Sequence, residues 1–139
     1  MNTTIHTYQD LTAWQKAMAL VKDIYQATQS WPREELYGLT NQAAPVRSTP
    51  ARRAGGGRRA AVSVPANIAE GKGRIGSQEL LHHLSIATGS LAETETLLLI
   101  ARDLGYIRDE DTQRLLSQTN TVGQLIGGLR HSLRPLVRR

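Results

Sequence analysis

The chain has 139 residues, 17 of them basic and 12 acidic, and no cysteine. That length suits one domain, 1–139, able to bury a core without staples. The missing cysteine excludes disulfides, thiolate nucleophiles and cysteine-ligated metals. No continuous apolar run approaches the roughly 20 residues of a membrane span, the longest being Leu97–Ala101. The N-terminal MNTTIHTYQD lacks the basic-then-apolar pattern of a signal peptide, so the expected address is cytoplasmic, with no membrane partner.

With no phenylalanine, two tryptophans and four tyrosines, the core must come from Leu, Ile, Val and Ala. Ala and Leu above all suit helices packed closely on helices. Charge is uneven. Residues 43–74 hold seven basic groups against one acidic, 75–113 hold two against seven, and 114–139 hold five against none. Such a distribution serves either salt bridges between segments or a basic surface for nucleic acid.

In chain order, the first element is carried by Leu11, Trp14, Ala17, Met18, Val21, Ile24, Tyr25 and Thr28. Steps of three and four make one apolar stripe and predict a helix over about 11–30. Asp10 is placed to cap it and Pro32 to end it. Residues 43–57, AAPVRSTPARRAGGG, contain two prolines, three consecutive glycines and one large apolar residue, Val46. This is loop composition, long for a connection inside a compact bundle. The following segment, RRAAVSVPANIAEGKGR at 58–74, has helical spacing around Val62 and Ile68. Pro65 should kink that helix, unless Ser63 caps a fresh start, and Gly71 should end it.

The third helix is expected over about 77–104, capped by Ser77, with Glu79 near its positive end and Gly105 just past its C-terminus. Its stripe is Leu80, Leu84, Ala87, Leu91, Leu98 and Ala101, widened by Leu81, Thr94 and Leu97. The fourth opens on Asp109, Glu110 and Asp111, acids favoured at a helix N-terminus. Its stripe is Leu115, Thr119, Val122, Ile126, Leu129 and Leu133. Gly123, Gly127 and Gly128 should admit a close neighbour, and Pro135 should stop the helix before a basic tail at 135–139. The fold class is therefore all-α: an up-and-down antiparallel four-helix bundle, with helix two kinked at Pro65 and interrupted at about 43–57.

The stretches LTAWQKAMALV, YGLTNQ, RRAAVSVPANIAEGKGR and SIATGSLAETETLLLIARDLGYI resemble the small bacterial four-helix-bundle proteins encoded in intervening sequences of 23S ribosomal RNA genes. The accessory protein of diversity-generating retroelements is a more distant relative. The resemblance covers roughly residues 8–107, and RRAAVS-P-NIAEG is its most specific part. It implies an up-and-down bundle, a homopentameric ring, and an adaptor for nucleic acid rather than an enzyme. In that family the helix usually runs from YGLT almost directly into the double arginine. Here residues 43–57 intervene and add Arg47, Arg52 and Arg53.

Basic side chains in this pattern point to phosphate contacts. The candidates are Arg58, Arg59, Lys72, Arg74, Arg130 and Arg134. The competing reading has an arginine of the 58–59 pair bound to Glu70, Glu93 or Glu95 as a structural ion pair. The GKGR run at 71–74 lacks Walker spacing and a preceding strand, so it reads as a helix end. Glu79 and His82 form one E-x-x-H, but helix four has no acid after Asp111, and a di-iron site needs a second such motif. No metal and no cofactor are expected. His83 and His131 read as surface residues, and Ser63 and Ser90 lack evident triad partners. Trp14 belongs to the core stripe, and Trp31 reads as a cap on the bundle end. The resulting expectation is a non-enzymatic, oligomeric adaptor binding RNA or DNA, with RNA favoured. The alternative is a scaffold for a protein partner.

Overall fold

The computed structural model describes residues 6–29 and 56–137. The expected loop up to residue 55, Trp31, Arg47, Arg52, Arg53, Arg138 and Arg139 lie outside these residues. A short 3₁₀ turn, Tyr8–Asp10, leads into α1, Thr12–Thr28. Then come α2, Gly56–Gly73; α3, Ser77–Asp103; and α4, Asp109–Val137. Each helix packs on its neighbour in sequence, and α4 closes against α1, so the described residues form an all-α up-and-down four-helix bundle.

The core is aliphatic. Leu20, Val64, Ile68, Leu84, Leu115 and Val122 are fully enclosed, and so are Ala17, Ala61, Ala87 and Ala101. Four threonines share this core, Thr28, Thr94, Thr112 and Thr119. Each donates its hydroxyl to a carbonyl one turn back, at 2.8–2.9 Å. That contact satisfies the buried hydroxyl and lets threonine stand in an apolar stripe. The stripes of α3 and α4 fall where periodicity places them. The stripe of α1 is rotated: Ala13 and Leu20 are buried, while Met18 and Tyr25 are exposed and Trp14 is half-buried. The larger side chains flank the contact because the short ones let the helix come in closely.

Several boundaries differ from expectation. Asp10 does not cap α1; its carboxylate accepts from the backbone N–H of His6 and of Thr7, at 2.9 and 3.0 Å, within the 3₁₀ turn. The Tyr8 ring meets Trp14 edge-on at 5.3 Å and joins that turn to α1. Helix α2 begins at Gly56, inside the stretch read as loop, and continues past Gly71 to Gly73. It also runs unbroken through Pro65, so Ser63 opens no fresh helix. Ser77 is the first residue of α3 and its cap is Gly76, at φ 100°. The last turn of α4 passes through Pro135 to Val137; proline's fixed φ is helical, and the loss is one hydrogen bond to the His131 carbonyl. Gly105, at φ 79°, does close α3: its N–H reaches the Arg102 carbonyl, and the Tyr106 N–H reaches that of Ala101.

Helix α3 has the length and apolarity of a membrane span over an 18-residue window. Leucine, isoleucine and alanine raise the average while Ser, Thr and Gly interrupt any continuous run, and its buried stripe packs in the bundle.

The two backbone donors on Asp10, from Thr7 and His6, hold its carboxyl below the usual carboxylate range. A depressed folded-state value means stability present above the unfolded pKa and lost as pH falls through the folded one. Asp10→Ala should therefore lower the Tm at pH 7, and the gap between variant and wild type should close on acidification below about pH 4. Thermal melts followed by circular dichroism across pH check this.

Candidate nucleic-acid interface

The most distinctive part of the sequence, AVSVPANIAEG, forms the seam between α2 and α3. Ser63, Asn67 and Gly71 recur every four residues and so lie along one face. The Asn67 amide donates from Nδ2 to the Ser63 carbonyl and hydroxyl, at 2.8 and 2.9 Å. The Ser63 hydroxyl lies 2.8 Å from that of Ser90 on α3. A carbonyl can only accept, so the orientation of the amide is settled and its Oδ1 faces His83 Nδ1 at 3.1 Å. Nδ1 of His83 must then carry a hydrogen. His83 is buried, not at the surface as its neighbours suggested, because Gly71 leaves room for it. A Cβ built on Gly71 would stand 2.6 Å from the Cβ of His83. The ladder is no nucleophilic triad: His83 contacts the amide, and the serines contact each other.

Arg58 closes the other end of α2. Its Nε donates to Thr28 Oγ1 at 2.9 Å, and its guanidinium lies over the Tyr25 ring, 4.5 Å from the centroid. These contacts tie the start of α2 to the end of α1. They replace the expected pairing of Arg58 with a glutamate. Arg59 is exposed and Glu93 half-buried. Glu70 does form an ion pair, but with Arg74, one turn on, at 2.9 Å. That hydrogen bond, with the charge of nearby His83, keeps the Glu70 carboxyl below its ordinary range.

Antiparallel packing then sorts the candidates. The C-termini of α2 and α4 share one end of the bundle. Lys72 and Arg74 therefore lie at the same end as Arg130 and Arg134, on helices that do not adjoin. Lys72, Arg74 and Arg134 are exposed, and Arg130 is half-buried. Arg58 and Arg59 are at the opposite end, roughly 20 Å away along α2 at 1.5 Å per residue. That end carries Asp103, Asp109, Glu110 and Asp111. There Arg102 pairs with Asp103 and Asp109, and Asp111 pairs with Arg108 and Arg114. The six residues thus divide four and two. Gly127 and Gly128 are exposed and meet no neighbour, while Gly123 lies against Leu91. Among the described residues, no three His, Asp or Glu side chains cluster as metal ligands.

The family model for the 23S rRNA-intervening sequence protein matches residues 9–49 and 57–128. The chain belongs to this family. The match includes Arg58, Arg59, Lys72 and Arg74, and it ends before Arg130 and Arg134. The gap at 50–56 is narrower than the 43–57 stretch that composition marks as inserted. No curated protein matches the chain.

Reading the sequence overlooked Asn67, Gly71 and His83 as a unit. The Ser–Asn–Gly spacing of four was the available signal, hidden by the general run of small residues. The seam makes a measurable demand on Gly71. Gly71→Ala should destabilise the protein by about 1–3 kcal/mol through overpacking, where an alanine in an open helix would stabilise it. Urea denaturation distinguishes the two signs.

Proposed function

We propose that this protein is a non-enzymatic, cytoplasmic adaptor that assembles as a homopentamer and binds nucleic acid through the end bearing Lys72, Arg74, Arg130 and Arg134. The observation that carries the reading is this arrangement: residues up to 62 apart in sequence share one end of the bundle, where Arg74 pairs with Glu70 and, among the described residues, Lys72, Arg130 and Arg134 form no ion pair, while at the other end Arg102, Arg108 and Arg114 are paired with aspartates. Binding is by phosphate contact, with no base-reading aromatic among these side chains. RNA is preferred to DNA on the family's description alone. Arg58 is a positioning residue in this scheme, because its Nε and one face of its guanidinium hold Thr28 and Tyr25 at the opposite end of the bundle.

Self-association draws on the outer face of α2 and α3. No ionisable side chain lies between Arg59 and Glu70, nor between His83 and Glu93. Val62, Ala66, Ile86, Gly89 and Ala92 are exposed there. A helix face turned to water ordinarily carries charges. The same face favours the second reading, a scaffold for a protein partner without a nucleic-acid role.

Fluorescence anisotropy with a structured ribosomal RNA fragment and a matched DNA duplex, at low and moderate salt, tests the proposal. Wild type should bind saturably and weaken steeply with salt. The variant Lys72→Ala/Arg130→Ala/Arg134→Ala should bind weakly and reduce the salt slope by about three. No binding of wild type at low salt would leave the scaffold reading. Light scattering on a sizing column reports the assembly, and a monomer at micromolar concentration would overturn the pentamer.

A further inference from the structure

Ile75 is 97% exposed, more than any other large apolar side chain described. It sits in the short connection between α2 and α3, at the basic end, with Arg74 before it and Lys72 three residues back. Gly73 and Gly76 flank this connection, and a Cβ at either would meet nothing within 4 Å. No neighbouring side chain therefore covers the isoleucine. The base of the connection is held on both sides. The Arg74 N–H reaches the Gly71 carbonyl at 3.3 Å, and Arg74 is bridged to Glu70. Gly71 is packed on His83, and the Leu80 N–H reaches the Gly76 carbonyl at 3.4 Å. A stiff β-branched side chain is thus presented from a held loop beside Lys72 and beside Arg74, which is paired with Glu70.

We propose that Ile75 is a wedge that enters the base stack of a bound RNA helix beside a bulge. This rests on the nucleic-acid reading above and adds the mode of contact. Aliphatic side chains flanked by lysine and arginine open base steps in this way, and phosphate contacts hold the helix while they do so. The deep, narrow major groove of A-form RNA bars side chains, so the wedge enters from the wide, shallow minor groove. A bulge also lowers the cost of unstacking. An anionic bilayer fits the tip less well: even one myristoyl chain binds a membrane only marginally, and one isoleucine offers far less apolar surface.

The test uses the full chain and a short RNA duplex with one bulged nucleotide beside a fluorescent adenine analogue. Anisotropy reports binding, and the analogue's intensity reports unstacking. Wild type should bind and raise the intensity. Ile75→Ala should abolish the rise while changing affinity by about threefold or less, because lost burial and avoided unstacking offset each other. Lys72→Ala should weaken binding yet keep the full rise at saturation. Binding by wild type without a rise overturns the wedge and leaves the phosphate reading standing. Absence of binding at low salt overturns both. Co-sedimentation with phosphatidylserine vesicles that is lost in Ile75→Ala, without any rise on RNA, assigns the tip to a membrane and also overturns the wedge.

Discussion

The close approach of α2 to α3 at Gly71 is the constraint on which the rest of the bundle depends. With no side chain at that position, the His83 Cβ takes the space a Cβ would need. The imidazole then falls within reach of Asn67, and Asn67 in turn is held by Ser63. A buried polar ladder is tolerable only when its members are satisfied, and here each finds a partner across or along the seam. The ladder also sets the register of the two helices, since a shift of one residue would separate Ser63 from Ser90 and put the side chain of Glu70 or Lys72 against His83. Polar contacts thus supply specificity, while the aliphatic core from Leu20 to Ile126 supplies most of the burial.

Register at the seam propagates into electrostatics. Once α2 and α3 are fixed antiparallel and α4 returns beside α1, acidic residues of the α3–α4 connection collect at one end and basic residues of the α2 and α4 termini at the other. Cations near helix C-termini are also favoured by the backbone dipoles. Each end nevertheless keeps both signs: Glu70 and Glu79 lie with the basic termini, and Arg58, Arg59, Arg102, Arg108 and Arg114 lie with the acidic connection.

Much of this was legible beforehand, and the remainder failed for identifiable reasons. The stripes of α3 and α4 were readable because leucines at steps of three and four admit one interpretation. The stripe of α1 was misread by weighting size: Met18 and Tyr25 outrank Ala13 and Leu20 in bulk or company, but close packing favours the small face. Gly71 and Pro135 read as terminators in the sequence, yet tertiary packing or a helical φ carries the backbone through both. Grouping the basic residues as one set was an error of dimension. Arg58 and Lys72 are neighbours on a written line and lie near opposite ends of a helix.

The clamp of Arg58 on Thr28 and Tyr25 has one more consequence. It joins the last turn of α1 to the first of α2, so whatever chain runs between residues 29 and 56 departs and returns at a single fastened hinge-point. For a closed excursion of this kind, doubling the length costs only about 0.6 kcal/mol of closure entropy when the chain is flexible. The clamp therefore keeps the two described helix ends together whatever the length between them, and the family match resumes at residue 57, beside Arg58. Evolution has, at this corner, a docking port for new sequence that does not disturb the old.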